Sequence, residues 1–207
     1  MSDPHGIQSL YERHASQYDS DRTRILFEAT WLDRFCAAMK NGRSILDLGC
    51  GCGEPIAQHL IQREYQLTGV DSSPSLIHLC RTRFPAHQWI VDDMRRFRAP
   101  DTFDGILAWD SLFHLSPDDQ RAMFPIFGAL SHPGTALMFT CGPQHGVVYG
   151  TYAGEPLYHA SLDPDEYRAQ LEAQGFSILS FVQDDPTCTG HAICLAVREA
   201  VNVSGAT

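Results

Sequence analysis

Ile45-Leu46-Asp47-Leu48-Gly49-Cys50-Gly51-Cys52-Gly53-Glu54-Pro55 runs an apolar strand through three alternating glycines into a proline-led helix. Glycine is needed where the chain turns sharply and approaches a ligand with no Cβ in the way. The carboxyl end of a strand is where open α/β sheets bind ligands. A dinucleotide fingerprint, G-x-G-x-x-G, counted from Gly49 requires glycine where Glu54 stands, and counted from Gly51 it requires glycine where Ile56 stands. A carboxylate at the helix entry also repels pyrophosphate, which prefers bare N–H groups there. The loop therefore suits a nucleoside ligand without phosphates, and a nicotinamide dehydrogenase ranks last among the enzyme readings. Asp47, just ahead of the glycines, is able to accept from a cationic ammonium.

Outward from this loop, the next strand ends Gly69-Val70-Asp71-Ser72-Ser73, with Asp71 lying 22 residues after Gly49. An acid at that strand tip and distance accepts hydrogen bonds from ribose hydroxyls. The third strand ends Ile90-Val91-Asp92-Asp93-Met94, where a carboxylate can accept from an adenine amino group and an apolar side chain can cover the ring. Further apolar runs at 44–48, 66–70, 88–91, 103–109, 135–140, 176–182 and 191–197 read as strands. Capped helix starts stand at Ser73-Pro74, Ser116-Pro117 and Asp163-Pro164, and Gly175 reads as a helix stop. Pro125 is expected to kink or shorten the helix after Ser116. Residues 6–17 and 22–39 carry apolar positions at helical spacing.

Strands alternating with helices imply an α/β fold, a mostly parallel sheet covered on both faces. The last two strands, separated by residues 183–189 alone, must pair antiparallel, because a parallel pair needs a long crossover. The length of 207 residues fits a single domain, divided into a helical cap (1–42), a ligand-binding half (43–140), a loop or lid (141–162), a final helix with closing hairpin (163–198) and a tail (199–207).

Fifteen Lys and Arg against 25 Asp and Glu leave a net charge of −10, which repels phosphate backbones and anionic membranes on average. No apolar run approaches a membrane span, and the first residues lack the basic and apolar regions of a secretory signal. Seven cysteines at irregular spacing predict reduced thiols in a cytoplasmic chain. They form no metal-ligand pattern: Cys50 and Cys52 are too close, and strand alternation separates Cys188, His191 and Cys194.

From about Arg43 to Arg198 the chain resembles the class I S-adenosylmethionine-dependent methyltransferases: D-x-G-x-G-x-G at 47–53, the acid at 71 and Asp93-Met94 follow that family's order and spacing. The resemblance implies a Rossmann-like, seven-stranded, mostly parallel sheet with an antiparallel last strand and helices on both faces. It implies S-adenosylmethionine as cofactor, S-adenosylhomocysteine as product, and methyl transfer to a small molecule. By the same resemblance Gly49, Gly51 and Gly53 surround the methionine and ribose portions, Asp71 takes the ribose hydroxyls, and Ser72 lies beside the adenine. Asp93 and Met94 contact the adenine edge, and the Trp109 backbone reaches the methionine ammonium. Tyr11 and Tyr18, in the pattern Tyr-x6-Tyr-Asp, help close over the cofactor.

The acceptor side is expected from the end of the fourth strand and from loops beyond it. Asp110 follows that strand directly and His114 comes four residues later; one of them is expected to serve as base or substrate anchor. The stretch 141–161, too long for an ordinary loop, interleaves His145, Tyr149, Tyr152, Tyr158 and His159 with glycines, and its aromatic and imidazole groups are expected to cover a planar acceptor. Two alternatives stay open. An RNA-modifying methyltransferase needs a basic stripe, for which Arg81, Arg83, Arg95, Arg96 and Arg98 form the one cluster. A non-catalytic cofactor-binding or partner module needs only the same fold.

Overall fold

The computed structural model describes residues 6–188 and 190–200. The readings made for residues 1–5, for Thr189 and for the tail beyond residue 200 lie outside the described residues. In chain order the elements are α1 (Ile7–Arg13), α2 (Ala15–Asp21), α3 (Ala29–Ala38), β1 (Ser44–Leu48), α4 (Ile56–Gln62), β2 (Gln66–Asp71), α5 (Pro74–Arg83), β3 (Gln88–Val91), β4 (Phe103–Ala108), α6 (Pro117–Ala129), β5 (Ser131–Cys141), β6 (Gly146–Tyr152), β7 (Glu155–Ser161), α7 (Pro164–Ala173), β8 (Phe176–Asp185) and β9 (His191–Arg198).

Seven strands form one sheet in the order β3-β2-β1-β4-β5-β9-β8. β1 pairs parallel with β2 and β4, and β4 with β5; β9 runs antiparallel to both β5 and β8. Strand order reverses between β1 and β4, and a crevice opens there at the carboxyl ends. Side chains alternate across the sheet with period two. Leu46, Leu48, Ile106 and Ala108 join one buried cluster with Phe124 and Phe127 of α6 and Tyr167 of α7. Ile45 and Leu107 join the opposite cluster with Phe35 of α3, Leu60 of α4 and Ile77 of α5. Both faces are therefore buried, which is why the strands read as apolar runs.

The helix starts follow the expected chemistry. Ser73, Ser116 and Asp163 each accept a backbone N–H from the first turn of the following helix, and Gly175 takes the left-handed conformation (φ +75°) just past α7.

Four expectations are corrected. The opening segment forms three helices, not two. It breaks at His14, and residues 22–28 are not helical, because the Thr23 hydroxyl accepts the Ile25 N–H and Arg24 binds the Asp19 carbonyl, competing with the helix ladder. α6 runs through Pro125 to Ala129 unshortened, with Met123, Phe124, Ile126 and Phe127 buried around the proline. β5 begins at Ser131, and β8 continues to Asp185. The stretch 141–162 is not an irregular loop but carries an antiparallel hairpin, β6–β7, turning on Ala153 (φ +50°) and Gly154 (φ +79°).

Candidate active site

The glycine loop is tied to β2 by its own backbone: the Gly49 and Cys50 N–H groups both donate to the Val70 carbonyl, at 2.7 and 3.2 Å. Gly49 stands at φ +80°, and a Cβ there would lie 2.3 Å from the Ser111 Cβ. No side chain is compatible with that position. Ser111 is itself fixed by donating to the Leu48 carbonyl at 2.7 Å. Asp71 at the tip of β2 accepts the Gly51 N–H at 3.0 Å and the Ser73 N–H at 2.9 Å, so this carboxylate sets the loop. Burial nevertheless leaves the Asp71 carboxyl above its ordinary value. Burial, with the neighbouring Asp71 charge second, pushes the Asp47 carboxyl up to about 7, and no hydrogen bond offsets this.

A cavity of about 420 Å³ lies over these residues, lined by Tyr11, Asp71, Ser72, Asp93, Met94 and His114 among others. A second, about 40 Å³, is lined by Arg22, Asp47, Gly53, Glu54 and Trp109. Tyr18, Gly49 and Asp110 line both. Trp109 is buried, and its indole Nε1 donor has no partner among the described residues.

The outer wall comes from the N-terminal helices and the hairpin. Gln8 donates to the Ser72 carbonyl at 2.9 Å. Glu12 accepts the Ser73 hydroxyl and the Ser75 hydroxyl and N–H, which hold its carboxyl below the ordinary value. Asp19 binds Arg83 through both oxygens, which pulls its carboxyl down to about 2. Arg13 and His14 reach Glu155 in β7 at 2.6 and 2.7 Å. The Tyr11 ring stacks on Tyr152 with centroids 6.0 Å apart, and the His114 ring lies 5.0 Å from that of His159. His114 Nδ1 is 3.0 Å from the Tyr158 carbonyl oxygen, which can only accept. Nδ1 therefore carries the proton, and Nε2 accepts from the Tyr11 hydroxyl at 3.0 Å. Burial holds this imidazole down at about 4, so it is neutral.

A family model described as a methyltransferase domain matches residues 45–134, the span from β1 to the start of β5. Trans-aconitate 2-methyltransferase of Rhodopseudomonas palustris (strain BisA53) is 29% identical over 126 residues, 58% of this chain and 45% of the relative. The enzyme of that name from Escherichia coli (strain K12 / DH10B) is 34% identical over 98 residues, 46% of this chain and 37% of the relative. The matches thus span less than half the length of these curated relatives. Among solved structures, the CcbJ methyltransferase of Streptomyces caelestis superposes with a TM-score of 0.73 at 18% identity, covering 96% of this chain and all of that one. S-adenosylmethionine-bound CalS10, an amino pentose methyltransferase from Micromonospora echinaspora, superposes with a TM-score of 0.69 at 19% identity, covering 90% of this chain and 96% of that one.

Residues 45–134 are thus similar to a methyltransferase domain, and the chain shares the fold of the solved methyltransferases.

The residues named from the sequence divide into three groups. Asp47, Gly49, Gly51, Gly53, Asp71, Ser72, Asp93, Met94, Trp109, Tyr11, Tyr18, Asp110 and His114 all line one cavity or both. Tyr152 and His159 stand behind them, in ring contact with Tyr11 and His114, while Tyr158 contributes its carbonyl and turns its ring toward Tyr149. His145 is exposed and lines neither cavity. Asp93 is held by Arg95, whose backbone N–H and guanidinium both reach it; Arg95 outweighs burial and draws the carboxyl below its ordinary value.

Sequence reasoning missed Glu12, Asp19, Arg22 and His191. The first three lie within or just after the Tyr-x6-Tyr-Asp stretch, where helical spacing shows which residues face inward but not what they bind. His191 sits on β9 and meets Asp110 across the sheet edge, a contact that no local pattern encodes.

Proposed function

We propose that this protein transfers a methyl group from S-adenosylmethionine to a small-molecule acceptor. The observation that carries the reading is the pair of joined cavities, the larger suited to a nucleoside and the smaller to the charged end of an amino acid. When bound, S-adenosylmethionine supplies a methyl group already activated for in-line displacement by an oxygen, nitrogen or sulfur nucleophile. The residues present fit that molecule. Asp71 offers a carboxylate to ribose hydroxyls, and Asp93 and Met94 offer an acceptor and an apolar cover to adenine. In the smaller cavity Asp47 suits an ammonium, and the Trp109 Nε1, unpartnered among the described residues, supplies a donor. A ligand filling both cavities passes Tyr18, Gly49 and Asp110 at its middle.

Of the two candidate bases, Asp110 is the better one. Both ring nitrogens of His114 are engaged and the imidazole is weakly basic, which suits it to anchoring and walling the acceptor space. Tyr152 and His159 extend that wall. A small acceptor is favoured over RNA because four of the five clustered arginines are engaged internally: Arg81 binds the Trp89 carbonyl, Arg83 binds Asp19, Arg95 binds Asp93 and Asp119, and Arg98 binds the Phe97 carbonyl. Seven free cysteines support a cytoplasmic setting.

Calorimetry with S-adenosylmethionine and S-adenosylhomocysteine tests the first half of the reading; no heat from either, with folded protein, would overturn it. A product screen over phenols, amines, thiols and carboxylates, trans-aconitate included, tests the second half. Binding without turnover across that panel would point to a non-catalytic module, and strong salt-dependent RNA binding to a nucleic-acid substrate.

A further inference from the structure

Asp110 carries the one charge among the three residues shared by the two cavities. Its backbone stands at φ +50°, a left-handed conformation that a non-glycine residue keeps only when its surroundings fix it. Its N–H donates to Thr140 Oγ1 at 2.7 Å, and Thr140 is wholly buried. Its Oδ1 lies 2.8 Å from His191 Nε2. The other ring nitrogen of His191, Nδ1, lies 2.8 Å from the Cys188 carbonyl oxygen. A carboxylate and a carbonyl are both acceptors, so both nitrogens donate and the ring is an imidazolium. The Asp110 bond, working against burial, correspondingly raises the His191 imidazole above its ordinary value. The Trp109 ring lies against that cation with centroids 6.0 Å apart.

The second cation here, Arg22, reaches Glu28 Oε1 with Nη2 at 3.3 Å, and Glu28 is only 5% exposed. Its Nη1 stays 3.9 Å from Asp110 Oδ2. Two cations thus answer two carboxylates, and Oδ2 keeps acceptor capacity toward the cavities. At the junction an incoming carboxylate meets Asp110, whose two neighbouring cations are already paired, whereas an N–H or O–H meets an acceptor.

We infer that His191 is a positioning residue that keeps the Asp110 side chain aimed at the junction of the cavities, and that the pair receives an acceptor bearing an N–H or O–H rather than a carboxylate. The inference rests on the methyl-transfer reading. The proton released by a hydroxyl acceptor passes to Asp110 Oδ2 and from there to water.

Sinefungin tests it without knowledge of the acceptor, because in that analogue an amine-bearing carbon stands in place of the methylsulfonium. Wild-type protein should bind sinefungin about tenfold more tightly than S-adenosylhomocysteine, the worth of one charge-assisted hydrogen bond. His191→Ala should bring that ratio close to one while S-adenosylhomocysteine affinity holds, Asp110→Asn should bring the ratio close to one whatever its effect on S-adenosylhomocysteine, and His191→Gln, which keeps a donor without the charge, should fall between. A wild-type ratio of one, or His191→Ala with the wild-type ratio, would overturn the inference. If His191→Ala does not fold, imidazole ¹⁵N shifts decide: His191 should be doubly protonated in the wild type and singly in Asp110→Asn, and identical spectra would overturn the pairing. Failure of both ligands to bind would sink the methyl-transfer reading and this inference with it. In the product screen, methylated amines or alcohols support the acceptor class, and a methyl ester from a di- or tricarboxylate overturns it.

Discussion

The two sides of the active-site crevice are built differently. On the glycine-loop side, backbone sets the geometry: Gly49 and Cys50 share one carbonyl of β2, Asp71 holds two N–H groups, and a bare Gly49 leaves room for Ser111. On the acceptor side, side chains from distant segments set it. Tyr11 meets His114, Arg13 and His14 meet Glu155, and Asp110 meets His191. Backbone geometry tolerates almost no substitution, which on the proposed reading suits a ligand that never changes. Paired side chains can be exchanged a few at a time, which suits the half that must differ from one acceptor to another.

That contrast predicts a graded set of effects. Gly49→Ala should do the most damage, combining a forbidden φ with overlap on Ser111: about 2–4 kcal/mol of stability in denaturant melts, with loss of cofactor binding. Survival of binding in that variant would break the contrast. Asp71→Ala removes the acceptor for two N–H groups and the ribose; titration calorimetry should show affinity for S-adenosylhomocysteine falling about thirty- to a hundredfold.

A third test uses pH. Asp47 stands at about 7, above its ordinary carboxylate value, so the empty site holds it largely protonated below neutrality. A ligand carrying an ammonium binds the ionised form and expels the proton. Affinity should therefore be full above about pH 7 and fall by about tenfold for each unit below it, with proton release seen as buffer-dependent heat. Asp47→Asn should flatten that profile. Smallest is Glu155→Ala, which removes an exposed latch between α1 and β7. Amide exchange in α1 and the β6–β7 hairpin should quicken a few-fold, with S-adenosylhomocysteine affinity nearly unchanged. An affinity loss as large as that of Asp71→Ala would show that the two sides are not separable.

The same division explains what was legible in the sequence. β1 and β3 fall within their expected limits, and the caps at Ser73, Ser116 and Asp163 act as read, because apolar runs and capping residues encode local structure. The residues named at the strand tips line the cavities together, since strand tips in a parallel sheet all reach one edge. The hairpin was hidden because Val147, Val148 and Tyr149 are all exposed, so β6 shows no in–out alternation, and Gly146, Gly150 and Gly154 mimic an irregular loop. The break between α1 and α2 was hidden because apolar spacing continues across His14. Asp110 was visible from its place after β4, but its partner was not. His191 lies far along the chain, and its role appears only when β9 is set beside β5.

The slot taken by β9 has a consequence for biosynthesis. It follows β5 and β8 in the chain, yet it sits between them in the sheet. Until it arrives, both neighbours expose raw hydrogen-bonding edges, and those edges invite pairing with other nascent chains. The strands from β3 to β5 can therefore pair before β9 is made, while the imidazole beside Asp110 arrives only as the sheet is sealed.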